Sequence, residues 1–282
     1  MNIQPECLVC FMRQALLIAQ QATDKPDELY QSLQRASVII SGLPANMAPA
    51  EGSSIIFHDL ANHFGIADPY LEEKEKYTRL ALQLYPSMVD YVDHAADPLE
   101  AALRIAAQGN ALDLSVIEGM DVDSLFTTLP EIEWAINDYS SLKEELKTAQ
   151  SILYLGDNAG EIVFDRVLVE RLPRGKVTFA VKSGPVINDV TLQDALQSGM
   201  DKAASILETG SNFAGVPLER CSDEFIQAYS KADLIISKGQ ANFETLADEK
   251  KNIYFLLKVK CSHIAEYLGI RIGDIVLKKQ LQ

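Results

Sequence analysis

Nowhere in its 282 residues does the chain approach the run of about 18 consecutive apolar residues that a membrane-spanning helix needs. The first twenty residues, "MNIQPECLVCFMRQALLIAQ", also lack a basic start, an apolar centre and a small-residue cleavage site. A cytoplasmic protein with no membrane partner is the expectation. Basic charge is scarce as well: 25 Lys and Arg stand against 40 Asp and Glu, a formal net charge of −15. That field opposes phosphate backbones, so no nucleic-acid partner is expected. It does not exclude a small anionic substrate, because a bound divalent cation is the largest local charge in its own pocket.

Cysteine is sparse too. Cys7, Cys10, Cys221 and Cys261 are too few and too scattered for a disulfide framework. Cys7 and Cys10 form a CxxC inside a helical pattern, with no second CxxC. They read as two small apolar residues one turn apart; redox chemistry, or a site shared with Cys261, is the other reading. No GxxxxGK[ST] is present, which excludes a P-loop. "LGDNAGEI" is not GxGxxG, which argues against a dinucleotide or methyl-donor loop. The four histidines, His58, His63, His94 and His263, offer no Ser/Cys–His pair.

What is present falls into two portions, 1–148 and 149–282, which one continuous domain can hold. The first is mainly helical. "CLVCFMRQALLIAQQA", "DELYQSLQRASVII", "SSIIFHDLANHFG", "LEEKEKYTRLALQLYPSMVDYV" and "PLEAALRIAAQGN" carry helix-spaced apolar residues. Pro86 is expected to kink or split its helix, and a further helix is expected through "EWAINDYSSLKEELKTA". In the second portion "SILYL" (151–155), "KVTFAVK" (176–182), "ADLIISK" (232–238) and "NIYFLLKVK" (252–260) read as strands, with "AASILETG" (203–210) as a fifth candidate. Helical patterns alternate with them, which predicts an α/β class, a mainly parallel sheet covered on both faces, with an N-terminal helical lobe.

Three of these strands are followed by glycine with polar residues: Gly156-Asp157-Asn158, then Gly184 to Asn188-Asp189, then Lys238-Gly239-Gln240-Ala241-Asn242. Ligands of open α/β sheets bind outside the carboxyl ends of the strands. Asp157, Asn158 and Asp189 offer only oxygen donors for a hard divalent cation, and leave positions for water and a substrate phosphate. Lys238 could neutralise a phosphoryl group, and the amides from Gly239 to Asn242 could cradle its oxygens. The chemistry is that of a phosphomonoester hydrolase working by metal-activated water, with Asp157, Asp189 and Lys238 as its catalytic residues. Simpler roles stay open for each. Asp157 and Asn188-Asp189 could cap the helices that follow, Lys238 could be a solvated charge, and Glu161 and Asp165 could be surface acids.

"GDNAGEIVFD", "GPVINDVTLQDA" and "KGQANFETL", in that order, resemble the metal-dependent damage-control phosphatases, also described as domain of unknown function 89 or the acidic-residue-methyltransferase-like metal-binding domain. "CLVCFMRQAL", "DPYLEEKEKYTRLAL" and "DPLEAALRIAAQGNALDL" resemble the smaller prokaryotic branch, so the likeness covers nearly the whole chain. It implies an α/β/α sandwich with a helical lobe, and Mn²⁺, Co²⁺, Ni²⁺ or Mg²⁺ held at Asp157, Asn158 and Asp189. It further implies hydrolysis of small phosphorylated metabolites, such as sugar phosphates or damaged metabolite phosphates. Lys238 matches the phosphate-contacting lysine of the family. Arg104, Asn110 and Asp113 match a motif near the substrate, where Asn188, Gly239 and Asn242 are also expected. Gln240 departs from the eukaryotic branch, which has Asp in "KGDLN", so the general base is not assigned by the resemblance. A carboxyl methyltransferase and a non-catalytic metal- or nucleotide-binding regulatory module are the competing classes.

Overall fold

A computed structural model describes residues 1–109 and 133–280. Three helices open the chain, α1 (Pro5–Ala22), α2 (Pro26–Gly42) and α3 (Pro49–Phe64), each with proline in its first turn. Proline suits that place because the first helical N–H groups have no partner within the helix. The long α4 (Leu71–Asp93) and α5 (Pro98–Gly109) follow. Pro86 does not split α4, which runs continuously through it.

Seven strands among the described residues form one sheet: β1 (Trp134–Asn137), β2 (Ile152–Leu155), β3 (Val177–Val181), β4 (Ser205–Glu208), β5 (Leu234–Lys238), β6 (Ile253–Lys258) and β7 (Ile275–Lys279). Their order is β1-β7-β6-β5-β2-β3-β4. All neighbours are parallel except β6 and β7. The helices between or after strands are α6 (Tyr139–Thr148), α7 (Glu161–Val169), α8 (Leu192–Ser198), α9 (Asp223–Lys231), α10 (Gln240–Leu246) and α11 (Ser262–Leu268). The helix expected through "EWAINDYSSLKEELKTA" is therefore only half helix. Trp134–Asn137 pairs in parallel with β7, and α6 starts at Tyr139.

Side chains of a strand alternate between faces, and both faces of this sheet are covered. Ile152 and Tyr154 enter a core with α4, α5, α6 and α7. Leu153 and Leu155 enter a second core with α9, α10 and α11. The layers are thus helix, sheet, helix. A third core, built on Phe11, Ile18, Ile56, Phe57 and Leu60 of α1 and α3, also takes in Val186 and Ala214. Those two residues lie on loops beyond β3 and β4, so the helical lobe is seated on the loops at the carboxyl edge of the sheet. β2 and β5 are neighbours from which the chain proceeds in opposite directions, β2 to β3 and β5 to β6. Such a reversal opens a crevice at the strand ends.

Candidate functional site

Both loops flanking that crevice are shaped by glycine. Gly156 ends β2 where a Cβ would stand 2.8 Å from Phe179 and Val190. Gly239 ends β5 with φ of 77°, and a Cβ there would lie 1.8 Å from Asp157 Oδ2. A bare backbone after β5 is what admits the Asp157 carboxylate into the interior, where it is 6% exposed. Asn242 then ties the two loops together, Nδ2 donating to Gly156 O at 3.1 Å and Lys238 O at 2.7 Å. It is 1% exposed, so its place is in the scaffold and not against substrate.

The loop after β3 joins through backbone pairing. Val190 N donates to Asp157 O, and Ala159 N to Asn188 O, both at 2.9 Å, so Asn158 and Asp189 stand opposite each other in an antiparallel bridge. Ile187, just before them, has φ of 49°. A β-branched residue rarely adopts that conformation, and backbone strain of this kind persists only where the surroundings impose it. Neither loop is a helix cap. The N-cap of α7 is Gly160, and α8 is capped by Thr191 with Asp194 in a capping box. The capping alternative for Asp157 and Asn188-Asp189 is overturned.

Asp157, Asn158 and Asp189 are therefore brought together, with Asp157 and Asp189 buried. Asn158 Nδ2 donates to Asp157 Oδ2 at 2.9 Å and to Glu161 Oε2 at 3.0 Å. Asp189 Oδ2 is 3.6 Å from Lys182 Nζ and finds no hydrogen-bond partner among the described residues. Lys182 also donates to Gly215 O, which stitches the loops after β3 and β4. Burial, then the charges of Glu161 and Asp189, push the Asp157 carboxyl well above the usual range. Burial raises Asp189 to about 6 against the pull of Lys182.

Glu161 and Asp165 are not surface acids, and Lys238 is not a solvated charge; each is at most 1% exposed. Lys238 Nζ donates to Glu161 Oε1 at 2.6 Å, to Ala106 O at 3.0 Å and to Asp165 Oδ1, which also accepts from Tyr154 at 2.8 Å. An ammonium has three N–H groups, and here all three are taken by the protein. Lys238 stands behind the carboxylates and has no donor left for a phosphoryl oxygen. Gly239 N is likewise engaged, with Leu256 O at 3.1 Å, so it does not cradle phosphate. Arg104 pairs with Glu100 at 2.9 Å and lies 5.7 Å from the Trp134 ring, over edge strand β1. Asn110 and Asp113 lie outside the described residues.

Sequence reasoning missed two cations. One is Lys182, read only as the end of a strand. The other is Lys260, exposed, whose charge acts on Asp157. Its backbone is placed by Gln240, whose Oε1 accepts from Lys260 N at 3.0 Å while its Nε2 donates to Glu244 Oε1 at 3.0 Å. Gln240 thus serves as a brace. The cysteines are all free thiols. Cys10 is exposed, so it is not a packed apolar residue, while Cys7 and Cys261 are half-buried and raised mainly by burial.

The donor set fits a hard cation on this structure's own terms. Asp157, Glu161, Asp165 and Asp189 bring four buried carboxylates against two buried ammonium groups, Lys182 and Lys238. With all four ionised, these carboxylates exceed the two ammonium groups by two negative charges; the raised Asp157 and Asp189 carboxyls reflect that crowding, and one divalent ion would relieve it. Asp189 Oδ2 is an orphaned acceptor at that point. Among the described residues no group of three or more His, Cys, Asp and Glu forms a metal cage. Two carboxylates and one amide oxygen are an open set that water and phosphate complete.

Residues 3–276 match the model of the damage-control phosphatase ARMT1-like domain. A damage-control phosphatase of Pyrococcus horikoshii is 36% identical over 98% of this chain and 97% of its own length. One from Archaeoglobus fulgidus is 32% identical over 99% of both. The crystal structure of a DUF89 family protein from Pyrococcus horikoshii superposes with a TM-score of 0.92 at 35% identity, covering 100% of each chain. The chain belongs to the ARMT1-like damage-control phosphatase family.

Proposed function

We propose that this phosphatase hydrolyses small phosphorylated metabolites, sugar phosphates or damaged metabolite phosphates, at the crevice between β2 and β5. Asp157, Asn158 and Asp189 would hold the divalent cation, with Mn²⁺, Co²⁺, Ni²⁺ and Mg²⁺ all compatible with oxygen donors. The observation that carries the proposal is the Asn158–Asp189 bridge, which unites two loops into one cluster with an excess of buried negative charge. When bound, such an ion withdraws charge from phosphate oxygens and acidifies water.

The chain's own residues do the rest. Lys182 holds Asp189 by charge. Gly239 makes room for Asp157. Lys260 would take the phosphate-binding role that the resemblance assigned to Lys238, because the residue is exposed and its charge acts on Asp157. Asn188 is kept as a substrate-side residue, with Asn110 and Asp113, which lie outside the described residues; Arg104, held by Glu100 beside Trp134 of β1, is not. No helix among the described residues is long and apolar enough to cross a membrane.

The test is hydrolysis of p-nitrophenyl phosphate and a sugar-phosphate panel by metal-stripped protein, with and without Mn²⁺. Restored turnover that Asp157→Asn abolishes supports the proposal. Thermal stabilisation by Mn²⁺ without phosphate release would identify a regulatory module instead.

A further inference from the structure

The amide of Asn158 can serve a cation only through its oxygen, and a side-chain amide can turn either end outward. Its Nδ2 donates to Asp157 Oδ2 at 2.9 Å and to Glu161 Oε2 at 3.0 Å. Glu161, ion-paired with Lys238, accepts and does not donate, so the NH₂ must face it and Oδ1 must face away. Glu161 is itself immobilised from behind. Its Oε1 accepts from Lys238 Nζ at 2.6 Å, and Lys238 is anchored on Asp165 and on Ala106 O of α5. Lys238 and Glu161 are 0% and 1% exposed.

We propose that Glu161, held by Lys238, is a positioning residue that orients the Asn158 amide so that its oxygen faces the cation. This rests on the cation site proposed above. Outer partners of metal ligands fix ligand orientation, and losing one typically weakens metal binding about 10–100-fold. Glu161 accordingly acts without touching substrate, and Lys238 acts one step further back.

Glu161→Gln makes the proposal testable because it conserves shape. A glutamine there has one oxygen for two donors. The charged Lys238 takes it, since charge-assisted hydrogen bonds are the stronger ones. The glutamine NH₂ is then left against the Asn158 NH₂. Turning Asn158 over relieves that conflict but gives up its bond to Asp157 Oδ2 and presents its NH₂, not its oxygen, to the cation; either orientation weakens the cation site. An aspartate at 158 has an oxygen on both sides, so it can accept from the introduced glutamine and still offer an oxygen outward, and a bound cation offsets the repulsion between its charge and that of Asp157. Asn158→Asp combined with Glu161→Gln also keeps the formal charge of the unmodified protein. Asp165→Asn supplies the matching charge control: it removes a negative charge from the same lysine without touching Asn158, and Asp165 Oδ2 has no hydrogen-bond partner to lose.

Mn²⁺ affinity measured by calorimetry on the full chain, with thermal melts to verify folding, decides the matter. Glu161→Gln is expected to weaken Mn²⁺ binding about 10–100-fold. The double variant is expected to recover most of that loss, and Asp165→Asn to change affinity far less than Glu161→Gln. Equal Mn²⁺ affinity in Glu161→Gln and the unmodified protein overturns this inference alone. So does a loss in Asp165→Asn as large as in Glu161→Gln, which would show that only charge matters. No Mn²⁺ binding by the unmodified protein overturns the proposed function, and this inference with it. Should Glu161→Gln fail to fold, the double variant decides: folded with Mn²⁺ bound supports the inference, and any other result overturns it.

Discussion

Gly239 and Asp157 come closer than any side chain at 239 would allow, since a Cβ there would lie 1.8 Å from Asp157 Oδ2. Gly239→Ala must therefore expel the carboxylate from its seat or distort a backbone already at φ of 77°. Mn²⁺ affinity in calorimetry is expected to fall by roughly tenfold or more. Lys260 makes a different prediction, because it is exposed and acts by charge. A hydrogen bond to a charged group is worth about 1.5–3 kcal/mol, so Lys260→Ala should raise KM for phosphate esters roughly tenfold or more. Its Mn²⁺ affinity should not fall, because the charge that acts on Asp157 is itself positive. Lys238 belongs to the interior. Lys238→Met would leave Glu161 and Asp165 buried without their counter-charge, and is expected to cost about 3–5 kcal/mol in urea unfolding. These residues were unequally legible in the sequence. Asp157, Asn158 and Asp189 stood out because each follows an apolar run and a glycine. Lys182 and Lys260 did not, because a lysine at a strand end normally meets water. Glu161 and Asp165 misled because acids four apart on a helix usually share a solvated face.

Among the elements, α7 explains that last error. It is buried on nearly every side, Arg166 being its only residue outside the buried class. A helix wedged between α4, α5 and the sheet has no solvated face to give its acids. The apolar strands β2, β5 and β6 were legible because burial on both faces leaves an unbroken apolar run. β1 and β7 were not. Trp134–Asn137 has four residues of alternating exposure directly before a helix, and only three residues of Ile275–Lys279 are buried. α10 carries a pH-dependent element. Burial raises the Glu244 carboxyl to about 7, with Gln240 hydrogen-bonded to it opposing the shift. The folded protein thus keeps a proton there that the unfolded chain releases near its ordinary value of 4.5. Stability from this group is full below about pH 4.5 and is lost as pH rises towards about 7. Glu244→Gln should melt at a higher temperature than the unmodified protein at pH 8 and show little difference at pH 4.5.

Across the whole molecule, α4 and α5 share one core with Ile152, Tyr154, Phe179 and Ile236 of the sheet. The helical portion 1–148 and the sheet portion 149–282 are proposed to unfold as one unit, so fluorescence and circular dichroism should trace a single coincident transition. Two separated transitions would contradict it. The same arrangement places α1–α3 on the loops that carry the site, which no periodicity in the sequence could reveal, because it depends on Val186 and Ala214 packing against a distant helical core. The proposed hydrolysis depends on one cation seated between the loops after β2 and β3. Calorimetric titration of metal-stripped protein with Mn²⁺ measures that directly. One Mn²⁺ per chain, with binding lost in both Asp157→Asn and Asp189→Asn while each still folds, is the predicted result. Unchanged binding in either variant, or none in the unmodified protein, would contradict it.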